Sequence, residues 1–273
     1  MTTRYGVRPS GSATTDMLDT EHVSTSEAQL GNPWPMGGRT AIVVALAREV
    51  APLVKGWSEK VLDYGGREFE IFENRCVIVV CGGIGAEAAR RACEAAIAIY
   101  HPGGLVSAGF AGALTASQQV GDVVIPEQIV DVRDGSRFKA VTGEGRLVSF
   151  SEIASQEQKA SLAKAYEAKA VDMEAASVAR SAQIHGVGFM AVKAISDEVH
   201  ETLPDMRPFI EGNGEFRVGR LVTFAAVRPW LWPRLFMLAR NSAKASKALC
   251  RALQPYVNMW VSQIPAPHPS NRD

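Results

Sequence analysis

The chain has 273 residues, of which 47% are hydrophobic and 21% charged, a composition that predicts a globular protein with a substantial core. Lys and Arg together number 29, as do Asp and Glu, so the overall charge gives no indication of nucleic acid or another acidic partner. No run reaches the roughly 18 apolar residues of a membrane span, and the start lacks a signal peptide's apolar segment, which predicts a cytoplasmic protein. The four cysteines form no metal or disulfide pattern, and we expect no metal or other cofactor.

Three regions can be distinguished along the chain. Residues 1–38 are rich in Ser, Thr, Gly and Asp and lack periodicity, so we expect a flexible, solvated N-terminal arm. The alternative is that Trp34 anchors the arm on the domain. Residues 39–215 carry the patterns of an α/β domain, and residues 216–273 form a basic, aromatic helical segment.

Strands and helices alternate after residue 75, which predicts a single three-layer α/β/α domain with a central mixed sheet. Strands are predicted at 40–46, 60–62, 69–72, 76–80, 105–109, 120–125, 128–132, 147–150 and 189–195. Helices are predicted in a short stretch containing Pro52, at 86–100 and 155–166, from Asp172 to the glycines 186 and 188, and over most of 219–259. A turn is expected at 110–112 and a polar loop at 135–145.

A glycine-rich loop, Gly83-Ile-Gly85-Ala-Glu-Ala88, lies between a strand and a helix. A dinucleotide fingerprint would also require an acid at the end of the next strand, where this chain has Ser107-Ala-Gly109, so NAD is not expected. Two interpretations remain. The loop is either a nest of backbone N–H groups for an anion or for sugar oxygens, or a set of glycines that lets strand and helix pack closely.

Four carboxylates occur next to predicted element ends. Glu49 follows the first strand, Asp172 and Glu174 open a helix, and Asp197 follows a late strand. Each has a structural explanation on its own, since acids favour helix N-termini. Carboxyl ends of parallel strands share one edge of a sheet, however, and ligands bind there. We therefore expect a site formed by Glu49, Asp197 and the glycine-rich segments 82–85 and 107–112.

Residues 170–198 resemble the signature of the purine nucleoside phosphorylase and methylthioadenosine/S-adenosylhomocysteine nucleosidase superfamily. The resemblance rests on the Asp-Met-Glu-Ala run 172–175 and the Ile-Ser-Asp run 195–197. It extends upstream, in the same order, to residues 45–50, 82–85, 107–112 and 120–124, and so covers roughly residues 40–200.

The resemblance implies a role for each of five residues. Asp197 would be the general acid that protonates N7 of a departing purine, with Ser196 beside it at the base. Glu174 would accept hydrogen bonds from the ribose 2′- and 3′-hydroxyls, and Met173 would pack under the sugar. Phe150 is a candidate to stack on the base, and a core position is the alternative.

The attacking group distinguishes the two branches of the family. In the nucleosidases, a Glu at the position of Glu49 activates water, whereas the phosphorylases hold phosphate with Arg residues and with a Ser in the second glycine loop. This chain has Ser107 and Phe110 at those positions, which favours water, while Arg48 keeps phosphorolysis open. The residues expected around the nucleophile are Arg48, Gly82, Gly83, Ser107 and Gly109.

The segment 216–272 contains no acidic residue but many Arg, Lys, Trp, Leu and Phe residues. This pattern fits peripheral membrane contact through residues 216–260, on anionic lipid. The alternative is a core-covering helix with an oligomer contact, in a homodimer or homotrimer. This segment and Leu203-Pro-Asp205 are also similar to the hopanoid-associated phosphorylases, which remove adenine from adenosylhopane.

Taken together, these features predict an enzyme that cleaves the N-glycosidic bond of an adenine nucleoside, with water favoured over phosphate. A phosphorylase, or a binding protein that holds a purine nucleoside without cleaving it, is the alternative. The loops 135–145 and 199–215 do not indicate which 5′-substituent the nucleoside carries.

Overall fold

The computed structural model describes residues 34, 38–201, 206–212 and 214–262. Eleven strands among these residues form one mixed sheet, which confirms the predicted α/β class. The strands are β1 (Thr40–Val44), β2 (Ser58–Tyr64), β3 (Arg67–Asn74), β4 (Val77–Cys81), β5 (Gly104–Ala113), β6 (Val123–Val124), β7 (Gln128–Asp131), β8 (Arg137–Lys139), β9 (Arg146–Ser149), β10 (Ala170–Asp172) and β11 (Gly188–Asp197).

Six α-helices belong to the described part of the chain. They are α1 (Ala47–Val50), α2 (Ala86–Tyr100), α3 (Gln156–Tyr166), α4 (Ala175–His185), α5 (Val218–Ala226) and α6 (Trp232–Ser262), and short 3₁₀ turns lie at Arg207–Phe209 and Pro229–Leu231. None of the described helices is long and apolar enough to cross a membrane.

Both faces of the sheet are covered, because its central strands are apolar on both sides. In β1, Ala41 and Val43 join the core beneath α2 and α4, while Ile42 and Val44 join the core beneath α6. This strict alternation follows from the period of two residues in a strand. The result is the predicted α/β/α layering.

The two longest strands, β5 and β11, form the centre of the sheet. They are parallel along their whole length, and β5 also pairs in parallel with β1. The β5–β11 register shifts between Ile195 and Asp197, so that Asp197 pairs with Gly112 and Ser196 is the extra residue of a bulge. Bulges re-aim side chains and are frequent next to active sites.

Several predicted elements differ from the observed ones. Asp172 is the last residue of the strand Ala170–Asp172 rather than the first residue of a helix, because this strand pairs with both β9 and β5. Glu174 is the N-cap of α4. The expected turn at 110–112 is instead the end of β5, which continues because β11 pairs with it. The expected polar loop 135–145 contains β8, and Pro52 follows the short helix α1 rather than lying within it.

The C-terminal segment consists of two different parts. The second half of α6 is buried in the core through side chains that include Leu249, Leu253 and Trp260. Trp34 stacks on Trp260 with ring centroids 5.6 Å apart and donates a hydrogen bond to Thr40 Oγ1. Trp34 therefore packs on the domain, which is the alternative to the expected solvated position. The rest of the predicted arm, apart from Gly38, lies outside the described residues, as does the Leu203-Pro-Asp205 stretch.

Candidate functional site

A cavity of about 770 Å³ opens at the carboxyl ends of β1, β5, β10 and β11. Helices α1, α3, α5 and α6 complete its wall. Its polar lining consists of Arg48, Glu49, Glu152, Lys159, Asp172, Glu174, Ser196, Asp197, Ser242, Ser246 and Lys247. The structure thus brings the predicted acids of three separate chain segments together at one edge of the sheet, as the strand-end argument predicts.

Glu49 is buried at the start of this cavity and is held by the backbone. The N–H groups of Ala45 and Leu46 both donate to Oε2 of Glu49, each at 3.1 Å. Burial raises the pKa of Glu49 above the ordinary carboxyl value, while the N–H of Leu46 and the charge of Lys193 act in the opposite direction. The geometry gives a carboxylate with a fixed orientation and one oxygen without these backbone donors.

Gly109 explains how Glu49 fits beneath β5. A Cβ atom at Gly109 would lie 3.3 Å from Oε2 of Glu49, and the φ of Gly109 is +146°, which a residue with a side chain rarely adopts. Gly109 therefore belongs to the site through its lack of a side chain.

Glu174 lines the same cavity from the N-terminus of α4. Its Oε1 accepts the N–H of Gly85 at 2.8 Å, which connects it to the first glycine loop. Burial raises the pKa of Glu174 to about 7, Lys193 opposes this shift, and the neighbouring Asp172 adds to it. Met173, half-buried, lines the cavity beside Glu174.

Asp172 anchors this corner of the site. It accepts from Ser149 Oγ at 2.5 Å and from the N–H of Ala175 at 2.8 Å, and its Oδ2 lies 2.8 Å from Nζ of Lys193. Burial acts to lower the pKa of Lys193, but the carboxylates around it raise the value, so this lysine stays charged. The Lys193–Asp172 pair fixes the turn that presents Glu174.

Asp197 forms a second buried ion pair. Its Oδ2 lies 2.5 Å from Nζ of Lys159, and its Oδ1 accepts from Ser196 Oγ at 2.8 Å. A Cβ atom at Gly112 would come within 2.8 Å of Asp197 Oδ2, so the glycine leaves room for the carboxylate. Ser196 and Asp197 both line the cavity, brought there by the bulge in β11.

The first glycine loop has its backbone donors engaged. The N–H groups of Gly82 and Gly83 donate to Val44 and Ala45, that of Ile84 to Gly214, and that of Gly85 to Glu174. A Cβ atom at Gly82 would also meet Ala92 Cβ at 2.8 Å. The contacts support close packing of strand and helix rather than an anion-binding nest.

Five predicted residues do not line the cavity: Phe150, Ser107, Gly82, Gly83 and Gly109. Phe150 packs against the small core beneath α3, with Val148 and Leu162, and the nearby loop instead presents Ile153 to the cavity. Ser107 is buried, and its hydroxyl has no hydrogen-bond partner among the described residues. Arg48 does line the cavity, and its guanidinium lies over the ring of Phe216 at 4.9 Å.

One wall of the cavity is apolar and comes from the C-terminal part of the chain. It contains Met206, Ile210, Phe216, Leu221, Leu235, Leu238 and Ala239. Leu221 belongs to α5, and Leu235, Leu238 and Ala239 belong to the first half of α6, so both helices face the site. An elongated apolar group is therefore compatible with this end of the cavity.

Sequence reasoning missed two buried lysines, Lys159 and Lys193. Each has a signal in the sequence: Lys193 interrupts the apolar run of β11, and Lys159 shares a helix face with Leu162 and Tyr166, three and seven residues further on. Their partners, however, depend on the fold. Among the described residues, no cluster of His, Cys, Asp and Glu is arranged to hold a metal ion.

Comparisons with known proteins identify the family. The family model described as the phosphorylase superfamily matches residues 39–151 and 142–217. A search of curated proteins gives no match.

Solved structures share the fold over most of their length. The 5′-methylthioadenosine nucleosidase of Arabidopsis thaliana matches at a TM-score of 0.64 and 18% identity, over 84% of this chain and 100% of that one. The futalosine hydrolase of Helicobacter pylori matches at 0.61 and 19%, over 81% and 98%. The S-adenosylhomocysteine nucleosidase of Streptococcus pyogenes matches at 0.62 and 16%, over 85% and 99%.

The match of the family model, which spans well over half of the chain, confirms the superfamily predicted from the sequence and, with it, an enzyme that acts on nucleosides; the chain belongs to the phosphorylase superfamily.

Proposed function

We propose that this protein hydrolyses the N-glycosidic bond of a purine nucleoside, with adenine as the leaving base. The arrangement of the carboxylates supports this reaction. Breaking the bond leaves positive charge on the ribosyl group. Of the four predicted acids, Glu49 and Glu174 have no lysine partner at hydrogen-bond distance, and they lie where such charge would be stabilised.

The observation that carries the proposal is the placement of Glu49. A general base must be within reach of water and must have a pKa near the working pH. Glu49 lines the cavity, is fixed by two backbone N–H groups, and has a raised pKa. In this proposal Glu49 takes the proton of the attacking water.

Other residues of the same cavity hold the substrate in this proposal. Glu174 accepts the ribose 2′- and 3′-hydroxyls, and Met173 packs under the sugar. Asp197, with Ser196, contacts the base and delivers a proton to N7. Since Phe150 lies away from the cavity wall, Ile153 and Phe110 are the apolar side chains that we propose pack against the base.

Phosphate is the less favoured nucleophile. The four N–H groups of the first glycine loop already donate to protein acceptors, and Ser107 does not line the cavity. Arg48 and Lys247, which both line the cavity, are the features that suit phosphate. Free phosphate would also have to approach Glu49 and Glu174, which both carry negative charge when ionised.

The test measures base release in phosphate-free buffer and again with added phosphate. The substrates are adenosine, methylthioadenosine, S-adenosylhomocysteine, futalosine and adenosylhopane. We expect release of base and free ribose product without phosphate, and its loss in Glu49→Gln and Asp197→Asn. Strict dependence on phosphate would reject hydrolysis, and binding without cleavage would reject an enzymatic role.

We further propose that the 5′-substituent is apolar and large. The apolar cavity wall of α5 and α6 supports this, since those residues line the same cavity as the carboxylates that we assign to the sugar. A lipid-linked nucleoside such as adenosylhopane fits that chemistry. Selective cleavage of adenosylhopane over methylthioadenosine would support this substrate class, and equal or lower activity on adenosylhopane would contradict it.

The outer side of the same helices suits a membrane surface. Phe224, Val227, Trp230, Trp232 and Phe236 are exposed, and Trp230 and Phe236 are 70% and 74% exposed. Arginines accompany these side chains, and the guanidinium of Arg228 lies 3.9 Å from the ring centroid of Phe224. Aromatic and cationic side chains together favour an anionic lipid interface.

Point variants test this contact, because deleting residues 216–273 would also remove the core half of α6. We expect wild type to sediment with anionic vesicles and the triple variant Trp230→Ser, Trp232→Ser, Phe236→Ser to stay in solution. If the variant instead changes only the molecular mass in solution, the patch is an oligomer contact, as in the predicted homodimer or homotrimer.

A further inference from the structure

Lys159 is a buried lysine to which the proposed reaction has so far assigned no role. It occupies the fourth residue of α3 and is only 2% exposed, although lysines are seldom fully buried. Its Nζ lies 2.5 Å from Asp197 Oδ2 and 2.7 Å from the carbonyl oxygen of Glu198. The lysine is therefore aimed at the residue to which we assign proton delivery.

The hydrogen bonds around Asp197 describe an ion pair rather than an isolated carboxylic acid. One oxygen of Asp197 accepts from the Lys159 ammonium, and the other accepts from the hydroxyl of Ser196. A carboxylate that accepts at both oxygens has no proton of its own to give. The proton that a departing purine needs must then be held elsewhere in the pair.

Lys159 also has access to the cavity. An ammonium has three donors, and Lys159 uses two of them among the described residues, for Asp197 and Glu198. Because Lys159 lines the cavity, water that enters after the base has left can return a proton to it. Gly112 keeps this corner open, since a Cβ atom there would lie 3.3 Å from Cε of Lys159.

From this geometry we infer that Lys159 is the source of the proton that Asp197 passes to the leaving base. The inference rests on the proposed cleavage of a purine nucleoside. As the bond from C1′ to N9 breaks, its electron pair goes to the purine. N7 takes a proton from the Asp197 carboxyl, and Lys159 Nζ supplies that proton and becomes a neutral amine. Water adds to C1′ and loses its proton to Glu49, after which Glu49 and Lys159 exchange protons with solvent.

The test compares leaving groups that need a proton with one that does not. Wild type, Lys159→Met and Lys159→Arg are assayed on the best purine nucleoside and on 4-nitrophenyl β-D-riboside, whose phenolate leaves unprotonated. General acid catalysis is worth about 10²–10⁴-fold, so we expect Lys159→Met to lower kcat on the nucleoside at least about a hundredfold. Its kcat on the nitrophenyl riboside should stay close to that of wild type.

Two controls separate proton supply from structural support. Lys164→Met makes the same change at an exposed position of α3 and should behave as wild type. Lys159→Arg keeps the positive charge but practically never releases a proton, so it should be as poor as Lys159→Met on the nucleoside. Circular dichroism checks that each variant folds, and if Lys159→Met does not, the arginine variant alone decides.

The outcomes are distinct. Recovery of nucleoside cleavage in Lys159→Arg, or an equal loss on both substrates in a folded Lys159→Met, would overturn the inference and leave the proposed function standing. A wild-type protein that cleaves no nucleoside would overturn the proposed function itself.

Discussion

Replacement of Glu174 by Gln should stabilise the protein at pH 8 while it lowers activity. The pKa of Glu174 lies at about 7 in the folded protein, against an ordinary value of 4.5. The folded protein therefore binds this proton more tightly than the unfolded chain does. The resulting contribution to stability is complete below the pKa of the unfolded chain, and it is lost as the pH rises through the pKa of the folded protein. Keeping Glu174 ionised at pH 8 therefore costs about 3 kcal/mol of folding free energy.

The substitution removes this cost with little change in shape. Gln can keep the hydrogen bond from the N–H of Gly85, which lies 2.8 Å from Oε1 of Glu174. At pH 5 the wild-type carboxyl is mostly protonated in the folded protein, so the two proteins should differ little. Linkage gives a relative gain for the variant of about 2.5 kcal/mol between pH 5 and pH 8.

Urea unfolding at pH 5 and pH 8, followed by tryptophan fluorescence, measures this difference. The exposed Glu127→Gln is the matched control and should show no such change with pH. The same Glu174→Gln protein should have a lower kcat/KM, since it lacks the carboxylate that we assign to the ribose hydroxyls. A gain in stability with a loss of activity is expected where an active-site group destabilises the fold. An equal stability difference between variant and wild type at both pH values would refute a raised pKa of Glu174.

Three further residues and one glycine give additional predictions. The rate should fall as the pH drops through the raised pKa of Glu49, because only the ionised form accepts a proton; a rate that is flat through that range would contradict a base at this position. Lys193→Met should destabilise the fold by about 3–5 kcal/mol, measured by chemical denaturation, because it leaves buried carboxylates without their cation. Gly112→Ala should lower kcat for base release and have only a small effect on the free energy of unfolding, since the new methyl group would displace Asp197. Trp34→Ala should cost about 3–5 kcal/mol of unfolding free energy, as expected for a buried Trp, and an unchanged midpoint would contradict its packing role.

Local signals were sufficient for much of the fold. The helix α2 is observed with the predicted bounds because glycines precede it and His101-Pro-Gly-Gly104 follows it. The antiparallel strands β3 and β4 follow from apolar runs separated by turn residues. In both cases the determining residues lie within a few positions of the element.

The errors occur where distant pairing decides the local structure. β10 has three residues, too few for a periodic pattern, and it is a strand only because β9 and β5 flank it. The glycines at the end of β5 are typical of a turn, yet the neighbouring β11 keeps the strand extended. Trp34 is buried because glycines 104 and 188 leave space for its ring, with Cβ positions within 2.5 Å of it.

The same division applies to the site. The acids Glu49 and Asp197 could be placed on one rim because both follow strands. Lys159 could not be assigned to Asp197, 38 residues away, because their contact depends on how α3 packs against the bulged end of β11. A sequence pattern identifies an unusual lysine but not the group with which it pairs.

The charges of the cavity bear on the choice between water and phosphate. Two carboxylates, Asp172 and Asp197, are each neutralised by a buried lysine. Glu49 and Glu174 have no such partner at hydrogen-bond distance, and burial has raised the pKa of both. A cationic ribosyl group forming between them would relieve the cost that burial imposes on their ionised forms, whereas a phosphate anion would increase it. Stabilising the transition state and repelling phosphate are then two consequences of the same arrangement, which favours hydrolysis.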